Sequence, residues 1–402
     1  MSAMQGERDH EVWITGTGIV SCLGEGPQAH SERLAQAQPA ADTAAFAPYV
    51  VHPLAPLALE KQIPKKGDQR QMEPWQRIGT YAAGLALESA GLKGHGELLE
   101  HTDMIVAAGG GERDLAVDQT ILTGLRSTKA PAHYLNERLM QDLRPTLFLA
   151  QLSNLLAGNI SIVHGVTGSS RTFMGEESSG VDALRIAMSR VAAGQSAVAL
   201  VGGSQNAERD DMLMLYALGS FLLKDGYRSV WERSAQPGVA PGSLGAFVVI
   251  EAREHAVARG ATPIARLSAL RSARADRRDA GAITRSLAEM WQQLEPLYDA
   301  KHLAVISGAT GVEPATGEER AFLSQHPDVA VRATGSHLGH GLEPQFVMNV
   351  AIAALAVGRG ILFPPCDGSG IEQPMEGPLT QVAVTSVGHW RGEGLALVEA
   401  VH

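Results

Sequence analysis

Three observations on this 402-residue sequence predict an α/β fold with mainly parallel sheets. Apolar runs of strand length alternate with amphipathic helical segments along both halves of the chain. Glycine is abundant, 44 residues against 8 Phe, as expected where tight βα turns recur and backbones approach closely. Hydrophobic residues at 45% and charged residues at 19% allow one large core or two fused ones.

Val12 to Val20 reads as a strand entering a glycine turn. Its Gly16-x-Gly18 pair invites a dinucleotide-binding reading, but Ser21 holds the third position of that fingerprint and no helix follows at once. Residues 36–66, rich in Ala and Pro without a period, read as an extended surface segment. Trp75 to Leu92 reads as an amphipathic helix with Ile78, Ala82, Leu85 and Ala86 on one side and Gly91 as its stop. Met104 to Ala108 is expected to be a buried parallel strand. The glycine turn after it lacks the Gly-Lys-Ser/Thr of a phosphate loop. Arg144 to Leu156 reads as a helix, and Ile160 to Val163 as a loop or short strand.

Asp210 to Leu223 is apolar enough to be a helical cover or part of a tunnel wall. Strand, short helix and strand follow at Leu244 to Glu251, Ala252 to Arg259 and Ile264 to Leu270. The second half alternates in the same way. Helices are expected at Thr284 to Tyr298, Glu318 to Leu323 and Phe346 to Gly358, with strands at Leu303 to Ser307, Val329 to Ala333 and near Val382 and Leu395.

The stretch from Ser169 to Met188 organises the rest. It reads as a short strand, a tight turn of small residues and a helix opening around Ser178 to Asp182, with Leu184, Ala187, Met188 and Val191 on one buried face. Such a turn lifts a side chain onto the helix N-terminus, where unpaired amides and the helix dipole favour negative charge. That side chain is Glu177.

Composition narrows the function. No apolar run reaches the ~18 residues of a membrane span, and the polar stretch Met1 to His10 lacks the pattern of a secretory signal, so a cytoplasmic location is expected. Two cysteines, Cys22 and Cys366, do not make a disulfide framework. The net charge of −10 argues against nucleic acid as a partner. The densest basic runs, Lys61 to Arg70 and Arg271 to Arg278, read first as solvated surface, and an acidic carrier protein is the partner such a run would fit. His337-x-x-His340 lacks the third ligand and helical spacing of a metal site, so neither metal nor cofactor is expected.

Gly175-Glu-Glu-Ser-Ser-Gly180, its helix, Ala193-Gly194-Gln195 and the strand ending at Gly202-Gly203 resemble the nucleophile elbow of β-ketoacyl-ACP synthases, with Glu177 in place of cysteine. Val12 to Gly24 is similar to the family's opening strand, and Gly245 to Ala261 to its crossover between halves. The resemblance covers nearly the whole chain. It implies the thiolase fold, two similar halves near 1–252 and 253–402 in five α-β-α-β-α layers, assembled as a dimer. In the family, two histidines steady the thioester and enolate oxygens. The first falls in Ser307-Gly-Ala-Thr-Gly-Val-Glu-Pro314, where Gly308 replaces it and Glu319 keeps the following glutamate. The second falls in Gly335-Ser-His-Leu-Gly-His340, where His340 is retained and the lysine has become Gly335. Glycines around the family's pocket mouth are replaced by Glu343-Pro-Gln and Gly388-His-Trp-Arg391. The runs from Lys66 and from Arg144 resemble a subgroup that accompanies a carrier for very-long-chain acyl groups of lipid A.

Loss of cysteine, first histidine and lysine strikes one reaction, since glutamate cannot carry an acyl thioester. The resemblance therefore implies a chain-length-factor-like subunit that pairs with an active synthase and acyl carrier protein. Two alternatives stand beside it. One is an enzyme using Glu177 and His340, either a malonyl-ACP decarboxylase or a specialised 3-oxoacyl-ACP synthase; the other is an acyl or acyl-ACP binding homodimer. A Glu177→Cys chain is expected to condense acyl groups only when Gly308→His is added, if at all.

Overall fold

A computed structural model of the chain describes residues 10–144, 147 and 151–401. Among the described residues eleven strands are hydrogen-bonded together, ten of them in one path: β1 Val12–Ser21, β2 Gly24–Glu25, β3 Asp103–Ala107, β4 Ser170–Phe173, β5 Val198–Gln205, β6 Leu244–Ala252, β7 Ala265–Ala273, β8 Leu303–Ser307, β9 Ala330–Ala333, β10 Gln381–Val387 and β11 Glu393–Glu399. Their order is β4-β3-β5-β6-β1-β7-β11-β10-β8-β9, with β2 on β1. The five long strands before residue 253 and the five after it therefore repeat one order about the β1–β7 junction. That junction is narrow, only Trp13 with Arg266 and Ile14 with Ala265, so the path is two sheets joined at a corner.

The sheets are mixed, which corrects the expectation of mainly parallel ones. Most strands of each half run one way, but β6 and β11 run the other and sit inside their sheets. The β5–β6, β6–β1, β10–β11 and β11–β7 pairs are consequently antiparallel. Parallel pairing survives at β3–β4, β3–β5, β8–β10 and β8–β9.

Alternation of side chains along each strand builds the layers. In β5, Val201 faces a core shared by both sheets, whereas Leu200 faces a second core under the helices Pro74–Ser89 and Leu155–His164. In the other sheet, Val384 faces the shared core and Ala383 a third, under the helices Ala282–Gln292 and Ala315–Leu323. Between the sheets lie the elbow helix Glu176–Ala192 and a second central helix, Gln345–Arg359, both buried in the shared core. Helix, sheet, helix, sheet, helix is the five-layer thiolase-like arrangement.

Several local expectations change. β1 continues through Gly16 and Gly18 instead of turning at them, with one register shift against β6 between Ile14 and Gly16. A Cβ there would lie 2.5 Å from the Ala86 carbonyl and 2.0 Å from that of Ala82, so the glycines let the strand press against a helix backbone. Ile160 to Val163 lies within the helix Leu155–His164 rather than in a strand, and the helix expected over Arg144 to Leu156 falls partly outside the described residues. The 36–66 segment is extended but not all surface, for Val50, Val51 and His52 are buried where it pairs with Gly242 and Lys224 neighbours. The helix from Asp210 stops at Leu218. It buries Met212 and Leu213 but exposes Met214, Leu215 and Leu218, so it covers the core on one side only.

Candidate functional site

The elbow follows β4 and begins two residues earlier than its sequence indicated. Gly175 (φ 136°) and Glu176 (φ 51°) take left-handed backbone, and the helix starts at Glu176. A non-glycine residue in that region costs ~1–2 kcal/mol. The strain falls one residue before Glu177 and turns its side chain inward. Ser178 and Ser179 hydroxyls donate to the carbonyls of Gly175 (2.7 Å) and Glu176 (2.7 Å), tying the turn to the first helical residues.

Glu177 is buried, and its Oε1 lies 2.8 Å from Nε2 of His340, which is buried too. Burial by itself would push the carboxyl up. The His340 hydrogen bond and charge, the residue's own backbone amide and nearby His389 outweigh that, so Glu177 sits below the ordinary carboxylate range. The carboxylate then only accepts, and the proton between the two belongs to His340 Nε2–H. His340 Nδ1 has no hydrogen-bond partner among the described residues.

The structure thus joins two of the three positions singled out in the sequence. Gly308 donates its amide to the Thr385 carbonyl (3.1 Å), and its neighbour Ser307 is linked through amide side chains to Gly341, which follows His340. Asn349 Nδ2 reaches the Ser307 carbonyl at 3.4 Å, Gln345 Nε2 donates to Asn349 Oδ1 at 3.2 Å, and the Gly341 amide donates to Gln345 Oε1 at 2.8 Å. A Cβ at Gly308 would stand 2.9 Å from the Thr385 carbonyl and 3.4 Å from Ser386 Cα. A side chain at Gly308 displaces the β10 backbone, so this geometry does not favour the condensation expected, if at all, only with Gly308→His added. Gly335 is similarly enclosed, with the Ala309 carbonyl 3.0 Å from its Cβ position. No lysine pairs with Glu319 among the described residues. Its Oε1 accepts from Ser307 Oγ (2.7 Å) and Thr385 Oγ1 (2.5 Å), and burial raises its carboxyl above the ordinary range.

One residue beside the pair carried no role in the sequence reading. Glu343 was visible only as a lost glycine at the pocket mouth, because the proximity of charges that defines it is a property of the fold. Its carboxyl is buried, a Cβ on Gly109 would lie 2.6 Å from its Oε1, and its Oε2 has no partner among the described residues. Burial, then the charges of Glu177 and Glu176, push it up to about 7, against the pull of its own amide and Arg209. The folded chain holds this proton where the unfolded chain has released it. Stability is expected to fall as pH rises from about 4.5 through about 7. Glu343→Gln should therefore gain roughly 3 kcal/mol over wild type at pH 8 and little at pH 4.5, read from urea unfolding at both pH values. A gain independent of pH would contradict this placement.

The 388–391 loop closes over the elbow. Phe221 meets His389 at 4.4 Å and Trp390 at 4.9 Å between ring centroids, both edge-on, and His389 meets Trp390 at 4.0 Å. Arg391 Nη2 reaches Glu176 Oε2 at 3.3 Å. Both ring nitrogens of His389 are buried without a partner among the described residues. Burial holds this imidazole below its usual range in spite of the Glu177 charge. No group of three or more His, Cys, Asp or Glu able to hold a metal occurs among the described residues.

Comparison with known proteins follows this geometry. The chain spans 61% of the length of a 3-oxoacyl-[acyl-carrier-protein] synthase 2 from Rhizobium meliloti (strain 1021), to which it is 26% identical over 276 residues, 62% of its own length. The ishigamide ketosynthase/chain length factor superposes with a TM-score of 0.79 at 18% identity, covering 98% of this chain and 100% of that one. A type II polyketide ketosynthase in complex with its acyl carrier protein superposes at 0.73 with 16% identity, covering 98% and 100%. These likenesses establish the thiolase-like fold. The family model described as β-ketoacyl synthase, N-terminal domain, matches residues 9–256, well over half of the chain, and on that ground the protein belongs to the β-ketoacyl synthase family.

Proposed function

We propose that this chain is a non-condensing partner of an active ketosynthase, acting in the manner of a chain length factor. The observation that carries the reading is the buried Glu177–His340 pair. It puts a carboxylate where the reaction needs a thiolate and occupies the imidazole N–H that an enolate would need. A malonyl carboxylate entering this site would face Glu177 at low dielectric, which disfavours the decarboxylase alternative.

Two surfaces fit a protein partner. β4 is the end strand of the sheet path and offers unpaired backbone groups for another chain to extend, with exposed Ile162 and Met174 nearby in sequence. The helices Leu115–Leu125 and Pro131–Asp142 bury only Ile121 between them, while Leu122, Leu139 and Met140 are exposed, the last at 77%. Apolar side chains on a helix pair this open are explained by a partner that covers them. We place the wall of the partner's acyl tunnel there.

Carrier docking goes to the first of the two basic runs. Lys65, Lys66 and Arg70 have no ion pair among the described residues and Lys61 meets Glu25 at 3.5 Å, while in the second run Arg277 is held by Glu393 and Arg278 by Asp276, leaving Arg271 and Arg274 without one. The solved ketosynthase complex with an acyl carrier protein supports a partner of this kind.

Co-expression with an active ketosynthase from the same genome tests the reading. A heterodimer on size exclusion that extends acyl chains, and that Met140→Glu with Leu139→Glu dissociates or shifts in product length, is the expected result. A chain that self-associates only and changes nothing in the synthase would overturn it in favour of an acyl-binding homodimer.

A further inference from the structure

A cleft of about 220 Å³ opens between the helix Gly26–Ala35 and the second central helix Gln345–Arg359, away from Glu177. Gln345, beside the candidate site, and Arg359, on the cleft, are separated by fourteen residues of helix, roughly 21 Å at 1.5 Å per residue. Leu34, Ile352, Ala356 and Phe363 line the cleft and are buried, and Ile361 at its mouth is 70% exposed. An apolar cavity of about 150 Å³ is already enough to take up benzene, so an alkyl group fits this one.

The polar groups on the cleft are few. His30 contributes its ring but no charge. Its nitrogens are spoken for by Ser21 Oγ (2.8 Å) and the Gly26 carbonyl (2.8 Å), and burial lowers it to about 4. Arg359 is the one permanently charged residue on the lining and has no carboxylate partner among the described residues. Ser31 adds a hydroxyl on the same lining. We propose that this cleft binds a small anionic amphiphile, a medium-chain alkyl carboxylate, with its chain between the two helices and its head against Arg359 and Ser31. The shape selects the alkyl part, and the single cation beside a hydroxyl selects a monoanionic oxygen head. This does not depend on how Glu177 is read.

Calorimetric titration of the full chain with octanoate, and with octanol as the uncharged probe, tests it. Octanoate is expected to bind saturably. Arg359→Glu should weaken octanoate roughly five- to tenfold, since a rim ion pair is worth about 1 kcal/mol and its reversal somewhat more, and leave octanol unchanged. Ala35→Trp, made at an exposed position on the cleft, should abolish both with an unaltered melting midpoint; should that variant not fold, Ser31→Trp replaces it. No saturable octanoate binding to the wild-type chain, wild-type affinity in the filled-cleft variant, or an equal loss of octanol in Arg359→Glu would each overturn the proposal. A change in oligomeric state on filling the cleft would do the same, by showing that a second copy covers it.

Discussion

Glu177→Cys is expected to give a protein that accepts acyl groups slowly from acyl-ACP and does not condense them with malonyl-ACP. A thiol there would sit in the first turn of the elbow helix, beside His340, where the dipole and imidazole favour thiolate. Acylation therefore has its nucleophile. Condensation additionally needs donors for the thioester and enolate oxygens, and removing one such donor costs about 10²–10³ in rate. Gly308 supplies no side-chain donor. Adding Gly308→His would drive a Cβ to 2.9 Å from the Thr385 carbonyl, so the double variant is expected to lose ~1–3 kcal/mol of stability and to remain without condensing activity. Mass spectrometry of the acylated protein and product analysis by chromatography read both steps. Efficient chain extension by Glu177→Cys alone would show that the pocket was never dismantled.

His340→Ala should lose about 3–5 kcal/mol of unfolding free energy at pH 7, because it leaves Glu177 buried without its partner. The sign of the pH effect follows from the depressed carboxyl. Glu177 contributes stability at pH above its unfolded value, and that contribution is lost as pH falls through the folded one. The gap between His340→Ala and wild type should accordingly narrow on acidification. Glu177→Leu with His340→Leu should recover much of the loss, since replacing both members of a buried pair costs less than orphaning one. Urea titrations at pH 7 and pH 4 decide it. A single-variant loss under ~1 kcal/mol would mean that the two side chains do not pair in solution.

Some of these features are written locally in the sequence and others arise only in the fold. The alternation of strands and helices was legible because both periods are local. Antiparallel β6 and β11 inside each sheet were not, since strand direction is set by connections rather than by composition. Glu177 and His340 were found from their turns, and their contact follows from the fold that those turns specify. The early helix start at Glu176 escaped because the left-handed backbone continues from Gly175 onto a glutamate, a residue that seldom adopts it. Ile160 to Val163, too short and apolar for its period to discriminate, gave a helix where a strand or loop was expected. Glu343 became visible only when burial and the neighbouring carboxylates were seen together. The tight fit at Gly308 depends on the β10 backbone, which is more than seventy residues further along the chain.

If Glu177 and His340 form a closed, non-catalytic pair, the purified chain releases no carbon dioxide from malonyl-ACP beyond the background rate. The carboxylate repels the substrate's own, and the His340 N–H that faces it is already donated. The wild-type rate is predicted to equal that of Glu177→Ala, both at the level of the protein-free reaction. A wild-type rate well above that background, abolished by Glu177→Ala, would contradict the account and make the chain an enzyme in its own right.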